Sequence, residues 1–220
     1  MEDYILSPDD SFSLYKILYR VIKIFEKNNI LYWATGGTFL GAIRCKGIIK
    51  WDDDLDLCVL LKDKEKIINI IKNEKDLIFD DFSTAVNKIR YKEGAWPFVD
   101  LFFMVKEVDS GKNVYKCASK KHRELFEKEE YLEREIHPLK KTIFGAFEIA
   151  IPNEYERYFL TNFGKNWNIE GVIHYDHKIE KQVNPPIEWK LKKSDYEPAT
   201  PFYIEESFED IGNTNTWWRF

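Results

Sequence analysis

The run Trp51-Asp52-Asp53-Asp54-Leu55-Asp56-Leu57 places four carboxylates within five positions at the mouth of an apolar stretch. So many like charges repel one another unless a cation neutralises them or they project into water. Side chains two apart on a strand point the same way, so a strand over 51–61 sets Asp54 and Asp56 on one face. Both can then converge on hard divalent ions, Mg2+ or Mn2+, which prefer oxygen ligands. Asp53 points elsewhere, as a supporting or turn residue, and either it or one of the carboxylates Asp54, Asp56 and Asp100 is the candidate acceptor for a substrate proton. Asp100, inside Pro97-Phe98-Val99-Asp100-Leu101-Phe102-Phe103, is costly to bury alone, and a metal shared with Asp54 and Asp56 offsets that cost. Three acids on adjacent strands suit a two-metal site, whose ions sit about 3.5 to 4 Å apart and stabilise both oxygens of an in-line phosphoryl displacement.

A glycine pair stands upstream. Gly36-Gly37, followed by Thr38 at the start of a short helical stretch, offers backbone amides that a phosphate can approach without a side chain in the way. Arg44 and Lys46, at the far end of that stretch, are candidate cations for a diphosphate. Taken singly, a Gly-Gly pair is a turn, a DxD a solvated strand end and Arg44 a surface residue; their order favours the joint reading.

The elements that must position these residues are legible in part. Apolar residues from Leu14 to Phe25 recur at three- and four-residue spacing after Ser7-Pro8-Asp9, which predicts an amphipathic helix ending at Asn28-Asn29. A short strand over 30–34, the glycine turn and a brief helix over 38–44 come next, and a charged helix over 63–72 follows the acidic strand. Strands are expected over 84–91 and 98–105, the latter turning at Asp109-Ser110-Gly111 into a hairpin return over 113–116. The pattern further predicts a charged helix over 119–134, alternating apolar residues over 141–151, and a helix capped near Pro152-Asn153 that stops at Gly164. After Trp167 the periodicity dissolves, and Pro185, Pro186, Pro198 and Pro201 punctuate an aromatic tail. The expected organisation is one α+β domain over 1–170, a mixed β-sheet flanked by helices, with an irregular extension over 171–220 packed on it.

Composition narrows the function classes. In 220 residues, 44% hydrophobic and 16% aromatic content can bury a sizeable core. A net charge of -5 without a basic stripe disfavours nucleic acid as a partner. Cys45, Cys58 and Cys117 lack C-x-x-C spacing, which disfavours a zinc knuckle or disulfide framework and suits a reducing compartment. With no apolar run near the roughly 18 residues that span a bilayer, the expectation is a cytoplasmic protein with no integral membrane segment.

The stretch from Ala34-Thr35-Gly36-Gly37-Thr38 through Arg44-Cys45-Lys46-Gly47 to Trp51-Asp52-Asp53-Asp54-Leu55-Asp56-Leu57 closely resembles the signature of the LicD family, which includes bacterial phosphocholine transferases and is related to fukutin and fukutin-related protein. Val99-Asp100-Leu101-Phe102, His137-Pro138-Leu139-Lys140, Ile151-Pro152-Asn153, Tyr158-Phe159-Leu160 and Phe163-Gly164-Lys165-Asn166-Trp167 extend the resemblance. It implies a nucleotidyltransferase-like fold that moves a phospho-alcohol, such as phosphocholine or ribitol phosphate, from a CDP-linked donor to a glycan hydroxyl. On this chain it implies Asp54, Asp56 and Asp100 as metal carboxylates and Gly36-Gly37 as the donor-phosphate turn. Cys45 stands where the family often has His, and Lys50 where it often has Pro. The zinc-binding cysteines of fukutin-related protein have no counterpart. The same acids would also serve an NTP-dependent nucleotidyltransferase or a DxD glycosyltransferase, and a catalytically silent glycan- or nucleotide-binding module is the reading from another class.

Trp33, Trp51, Trp96 and Trp167 are candidate walls for a quaternary ammonium, with core packing preferred for Trp33. His174-Tyr175-Asp176-His177 is read as structural or acceptor-side, since an isolated H-x-x-H lacks the helix of a metalloprotease site. His122 and His137 are read as surface or packing residues, and Trp217-Trp218-Arg219-Phe220 as a docked strand or partner contact.

Overall fold

The computed structural model describes residues 2–81 and 86–202. The first helix, α1 (Pro8–Lys27), begins where Ser7 and Asp10 exchange side-chain-to-backbone hydrogen bonds, 3.1 Å each way, and Pro8 occupies the first turn. Its apolar face, Leu14, Ile17, Leu18, Val21, Ile22 and Phe25, is fully or almost fully buried. The chain then runs through β1 (Tyr32–Ala34), α2 (Gly36–Arg44), β2 (Asp56–Leu60), α3 (Lys64–Asn73), β3 (Leu77–Asp80), β4 (Asn87–Tyr91), β5 (Phe98–Asp109) and β6 (Lys112–Cys117). After these come α4 (Lys120–Leu125), β7 (Glu130–Leu132), α5 (Glu133–Ile136), β8 (Lys140–Phe144), β9 (Phe147–Ile151), α6 (Glu156–Phe163), β10 (Glu170–Asp176) and β11 (Lys181–Lys190).

Seven strands form one mixed sheet in the order β1-β2-β5-β4-β3, with β6 on β5 and β7 on β6. The β2–β5 pair is parallel and the others antiparallel. Parallel pairing demands a crossover, and α3 lies within it. A single buried cluster extends from Leu6 to Ala199, so the elements share one core.

Several expectations need correction. The acidic strand starts at Asp56, not Trp51, because β1 ends at Ala34, where the chain turns into α2 and leaves Asp52 to Leu55 no ladder partner on that side. Leu57, Cys58 and Val59 are all buried, as befits a central strand covered on both faces, and Leu61 is exposed in a 3-10 turn. The single helix over 119–134 is instead α4, a turn, β7 and α5. Pairing of Tyr115 with Tyr131 in the β6–β7 ladder, with Tyr131 fully buried, outweighs the helical propensity of the charged residues around it. Asn153 caps nothing: α6 opens two residues beyond it after Tyr155, though it does stop at Gly164, at φ 78°. The strand β3 has no counterpart among the expectations.

The stretch after Trp167 contains a regular hairpin, β10–β11. Its prolines hid it. Ile173 pairs Ile187 and Tyr175 pairs Gln182, so Pro185 and Pro186 lie in the bulge between, where no ladder hydrogen bond is required of them. Beyond the hairpin the chain returns to the core, where Ala199 N–H donates to Ile48 O at 2.7 Å and Tyr15 donates to Ala199 O at 3.2 Å. The expected contact strand at Trp217-Trp218-Arg219-Phe220 and the first residues of the expected strand over 84–91 lie outside the described residues.

Candidate functional site

Register places the acids. Asp56 in β2 stands directly opposite Asp100 in β5, and one carboxylate oxygen from each of Asp54, Asp56 and Asp100 lies within 4.8 Å of the others. Asp54 reaches this group from the extended approach to β2 and keeps 12% of its side-chain surface accessible. Asp56 and Asp100 are buried, at 8% and 7% exposure.

Burial first, then the charges of Asp54, Asp100, Asp52 and Glu129, holds the Asp56 carboxyl well above the usual carboxylate range. Asp54 and Asp52 are raised for the same leading reason, and Asp100 is pushed up to about 7, burial and Asp54 outweighing the opposing pull of Lys88 and His177. These groups cannot all ionise side by side without a cation among them. Asp100 Oδ1 makes no hydrogen bond; its near neighbour is Lys88 Nζ in ion-pair contact at 3.4 Å. A donor set made only of oxygens with one buried atom unsatisfied fits a hard divalent cation such as Mg2+ or Mn2+.

The glycine pair abuts the same acids. Gly36 adopts the left-handed φ of +53°, and a Cβ there would run into Asp56 Oδ2, while one at Gly37 would run into Asp52 Oδ2. The first turn of α2, the positive end of its dipole, therefore packs against the carboxylates of Asp56 and Asp52. Asp56 N–H donates to Thr38 Oγ1 at 2.8 Å, tying α2 to β2. Gly36 N–H donates to the Tyr158 hydroxyl at 3.1 Å, and Tyr158 donates to Glu129 Oε2 at 2.6 Å. Thr35 Oγ1 bonds Glu129 Oε1, and the Tyr131 hydroxyl lies 2.6 Å from Thr35 Oγ1. A buried carboxylate ringed by three hydroxyls thus anchors the glycine turn from behind.

Neither Arg44 nor Lys46 contacts Asp54, Asp56 or Asp100 among the described residues, although Arg44 lies within electrostatic reach of Asp52. Nine residues of helix, about 12 Å of rise, separate the two ends of α2. Arg44 is instead turned inward, Nη1 donating to Trp167 O at 3.1 Å with the guanidinium 5.5 Å from the Trp51 ring centre. Lys46 is exposed.

Other residues approach the acids without having been singled out for it. His177, just after β10, contacts Asp53 Oδ1 through Nδ1 at 2.9 Å and Asp54 Oδ2 through Nε2 at 3.2 Å. The backbone amides of His177 and Lys178 also donate to Asp53 Oδ2, at 2.9 and 3.1 Å. Burial opposes its protonation, but the Asp53 hydrogen bond and the surrounding aspartates prevail and raise it to about 9. Its partner in the H-x-x-H spacing, His174, is exposed. Lys88, on β4 opposite Asp100, carries no motif at all. Of the tryptophans, Trp33 packs in the core against Tyr115 and Tyr131, whereas Trp96 Nε1 donates to Asp53 O at 2.6 Å. His122 packs between Phe102 and Phe126, as a core residue.

No helix among the described residues is long and apolar enough to cross a membrane. A family model described as LicD/FKTN/FKRP, nucleotidyltransferase domain, matches residues 29–154, a span that contains every acid of the cluster. An uncharacterized protein of Rickettsia prowazekii, RP689, is 28% identical over 192 residues, 87% of this chain and 69% of its own length. The human ribitol 5-phosphate transferase FKRP is 29% identical over 153 residues, covering 66% of this chain and 30% of that protein. The lipopolysaccharide cholinephosphotransferase LicD of Haemophilus influenzae is 40% identical over 45 residues, 20% of this chain and 17% of its own. The chain thus spans a minor part of the two relatives whose printed names carry an activity.

Proposed function

The chain belongs to the LicD/FKTN/FKRP nucleotidyltransferase-domain family, and on that premise we propose that it transfers a phospho-alcohol, phosphocholine or ribitol phosphate or a similar group, from a CDP-linked donor to a glycan hydroxyl. The observation that carries this reading is the convergence of Asp54, Asp56 and Asp100 beside the first turn of α2, with Asp100 Oδ1 buried and in ion-pair contact with Lys88 Nζ at 3.4 Å. The named transferases among the relatives support the phospho-alcohol class.

Asp54, Asp56 and Asp100 would hold Mg2+ or Mn2+, which would supply charge neutralisation for a diphosphate. The first-turn amides of α2 other than that of Gly36, which Tyr158 takes, would receive the donor phosphates, and the missing side chains at Gly36 and Gly37 let this turn lie against Asp56 and Asp52. The acceptor oxygen forms a bond to the phosphorus bearing the alcohol as the bond from that phosphorus to the CMP oxygen breaks, and CMP leaves. One of the cluster carboxylates takes the hydroxyl proton. Asp53, saturated by His177 and two amides, is a positioning residue and not the base. Positioning and electrostatics then carry the rate.

Incubation with CDP-choline, CDP-ribitol and CDP-glycerol, with and without Mg2+ or Mn2+, tests the reading. Ion-dependent CMP release that Asp56→Asn abolishes is the expected result. Pyrophosphate release from an NTP, or nucleoside diphosphate from a nucleotide sugar, with no CMP from any CDP-alcohol, would replace it.

A further inference from the structure

We propose that the cationic groove beside Asp100 is an acceptor subsite that binds an anionic, phosphate-bearing sugar; the acceptor role rests on the transfer reaction proposed above. The argument begins with the sheet. Asp56, Asp100 and Lys88 are register partners across β2, β5 and β4, so they form one row on one face. The glycine turn of α2 abuts this row at Asp56, and Lys88 stands at the other side of Asp100. A donor held at α2 leaves the β4 side for the molecule that attacks it.

On that side lies a cavity of about 400 Å3, lined by Asp80, Lys88, Arg90, Lys92, Phe98 and Glu180 and floored in part by Gly94 and Ala95. This volume lies within the usual range of small-molecule clefts. Lys88, Arg90 and Lys92 recur at every second position along β4 and its end, the spacing that aligns side chains on one face. In a chain of net charge -5, the three cations outnumber the two acids of this lining, Asp80 and Glu180, by one.

The three are not equally committed. Arg90 Nε pairs with Asp80 Oδ2 at 3.0 Å. Lys92 Nζ holds only backbone carbonyls among its hydrogen-bond acceptors, those of Glu74 and Lys75 at 3.0 and 2.7 Å, so its charge is met there by dipoles. Lys88 Nζ lies 3.3 Å from the Phe98 ring centre, 3.4 Å from Asp100 and 3.7 Å from Glu180.

Glu180 is the informative partner. It sits in the β10–β11 turn at φ 50°, 59% exposed, and reaches across to a lysine of another element. A pair at that distance with one partner, Glu180, largely exposed is weak. Its carboxylate occupies the place beside Lys88 that a ligand's phosphate would take. Displacing it frees the groove beside Lys88, whose ammonium lies over the buried Phe98 ring.

The probe is glucose 6-phosphate against glucose, titrated by amide NMR into the full chain in EDTA, so that the acid cluster contributes no metal–phosphate contact. We expect glucose 6-phosphate alone to shift amides of 88–91, 94 and 95. Lys92→Ala should weaken it about threefold or more, and Glu180→Gln should tighten it by a similar factor. Both sites are exposed, so both variants should fold. Equal binding of glucose, or no change in either variant, would overturn the subsite. CDP titrated in Mg2+ is the second arm: Lys92→Ala should leave it unchanged, and an equal loss would assign the groove to the donor and overturn the acceptor role. If sugar-phosphate binding behaves as expected while no CDP-alcohol releases CMP, the transfer reaction fails and the anion site stands.

Discussion

His177 bridges Asp53 and Asp54, one ring nitrogen to each carboxylate, at 2.9 and 3.2 Å. Through this contact the β10–β11 hairpin is docked on the acidic loop, and the orientation of Asp53 is set by a residue 124 positions later in the chain. A lysine extends the dock, since Lys178 Nζ reaches Asp10 Oδ2 on α1 at 2.6 Å.

His177 in the folded chain is raised from 6.5 to about 9. Its protonated form is therefore favoured by folding, so the stabilisation it brings is full below about pH 6.5 and is lost as pH rises through about 9. Urea denaturation without divalent ions at pH 6 and pH 9.5 should show a larger drop for the parent chain than for His177→Gln. Equal drops would mean that the imidazole is not charged against these aspartates.

Asp100 is likewise raised, from 3.8 to about 7, and Asp52, Asp54 and Asp56 move in the same direction. For acids, this means that the ion-free fold loses stability as pH rises from about 4 through about 7. Mg2+ or Mn2+ should restore melting temperature at pH 8 and do little at pH 5. Asp56→Asn should melt higher than the parent chain without ions and lose the ion-dependent gain; a variant that melts lower in both conditions would contradict the crowding of charge at this site.

The Tyr158 hydroxyl links Gly36 N–H to Glu129. Tyr158→Phe keeps the ring stack on Tyr131, 4.6 Å between centroids, and leaves a buried carboxylate short of one donor. Loss of such a hydrogen bond costs about 1 to 3 kcal/mol. Chemical denaturation should report that loss, and CMP release should show a raised KM for the donor. Unchanged KM beside lowered stability would confine Tyr158 to packing.

Gly36→Ala forces a methyl toward Asp56 at a left-handed φ. Misplacement by about 1 Å at a reacting centre costs on the order of 100-fold in rate. Circular dichroism should show a folded chain and the CMP assay a loss of that order. Gly111→Ala, where a Cβ meets nothing within 4 Å, is the control for general glycine strain and should keep its activity.

The amino-acid order by itself determined the acids and the glycine turn, because each depends on neighbours a few positions away. Asp54 and Asp56 share a site and Gly36-Gly37 opens a helix for reasons written in local spacing. The amphipathic α1 was equally legible, its capping residues and apolar period lying within one element. Lys88, Glu129 and His177 were not, since nothing within ten residues of any of them announces an acid cluster or a glycine turn, and Tyr158 stood in a block of the family resemblance with no role attached to it. Cross-strand register brings Lys88 to Asp100, burial gathers Thr35, Tyr131 and Tyr158 around Glu129, and a proline-bulged hairpin carries His177 to Asp53. The same physics set Arg44 at the far end of α2 and Lys46 beyond it, and carbonyls of Trp167 and Glu170 took Arg44 inward, within electrostatic reach of Asp52 alone among the acids of the 51–57 run. Spacing determines which groups one element can present, and only packing between elements decides which of them meet.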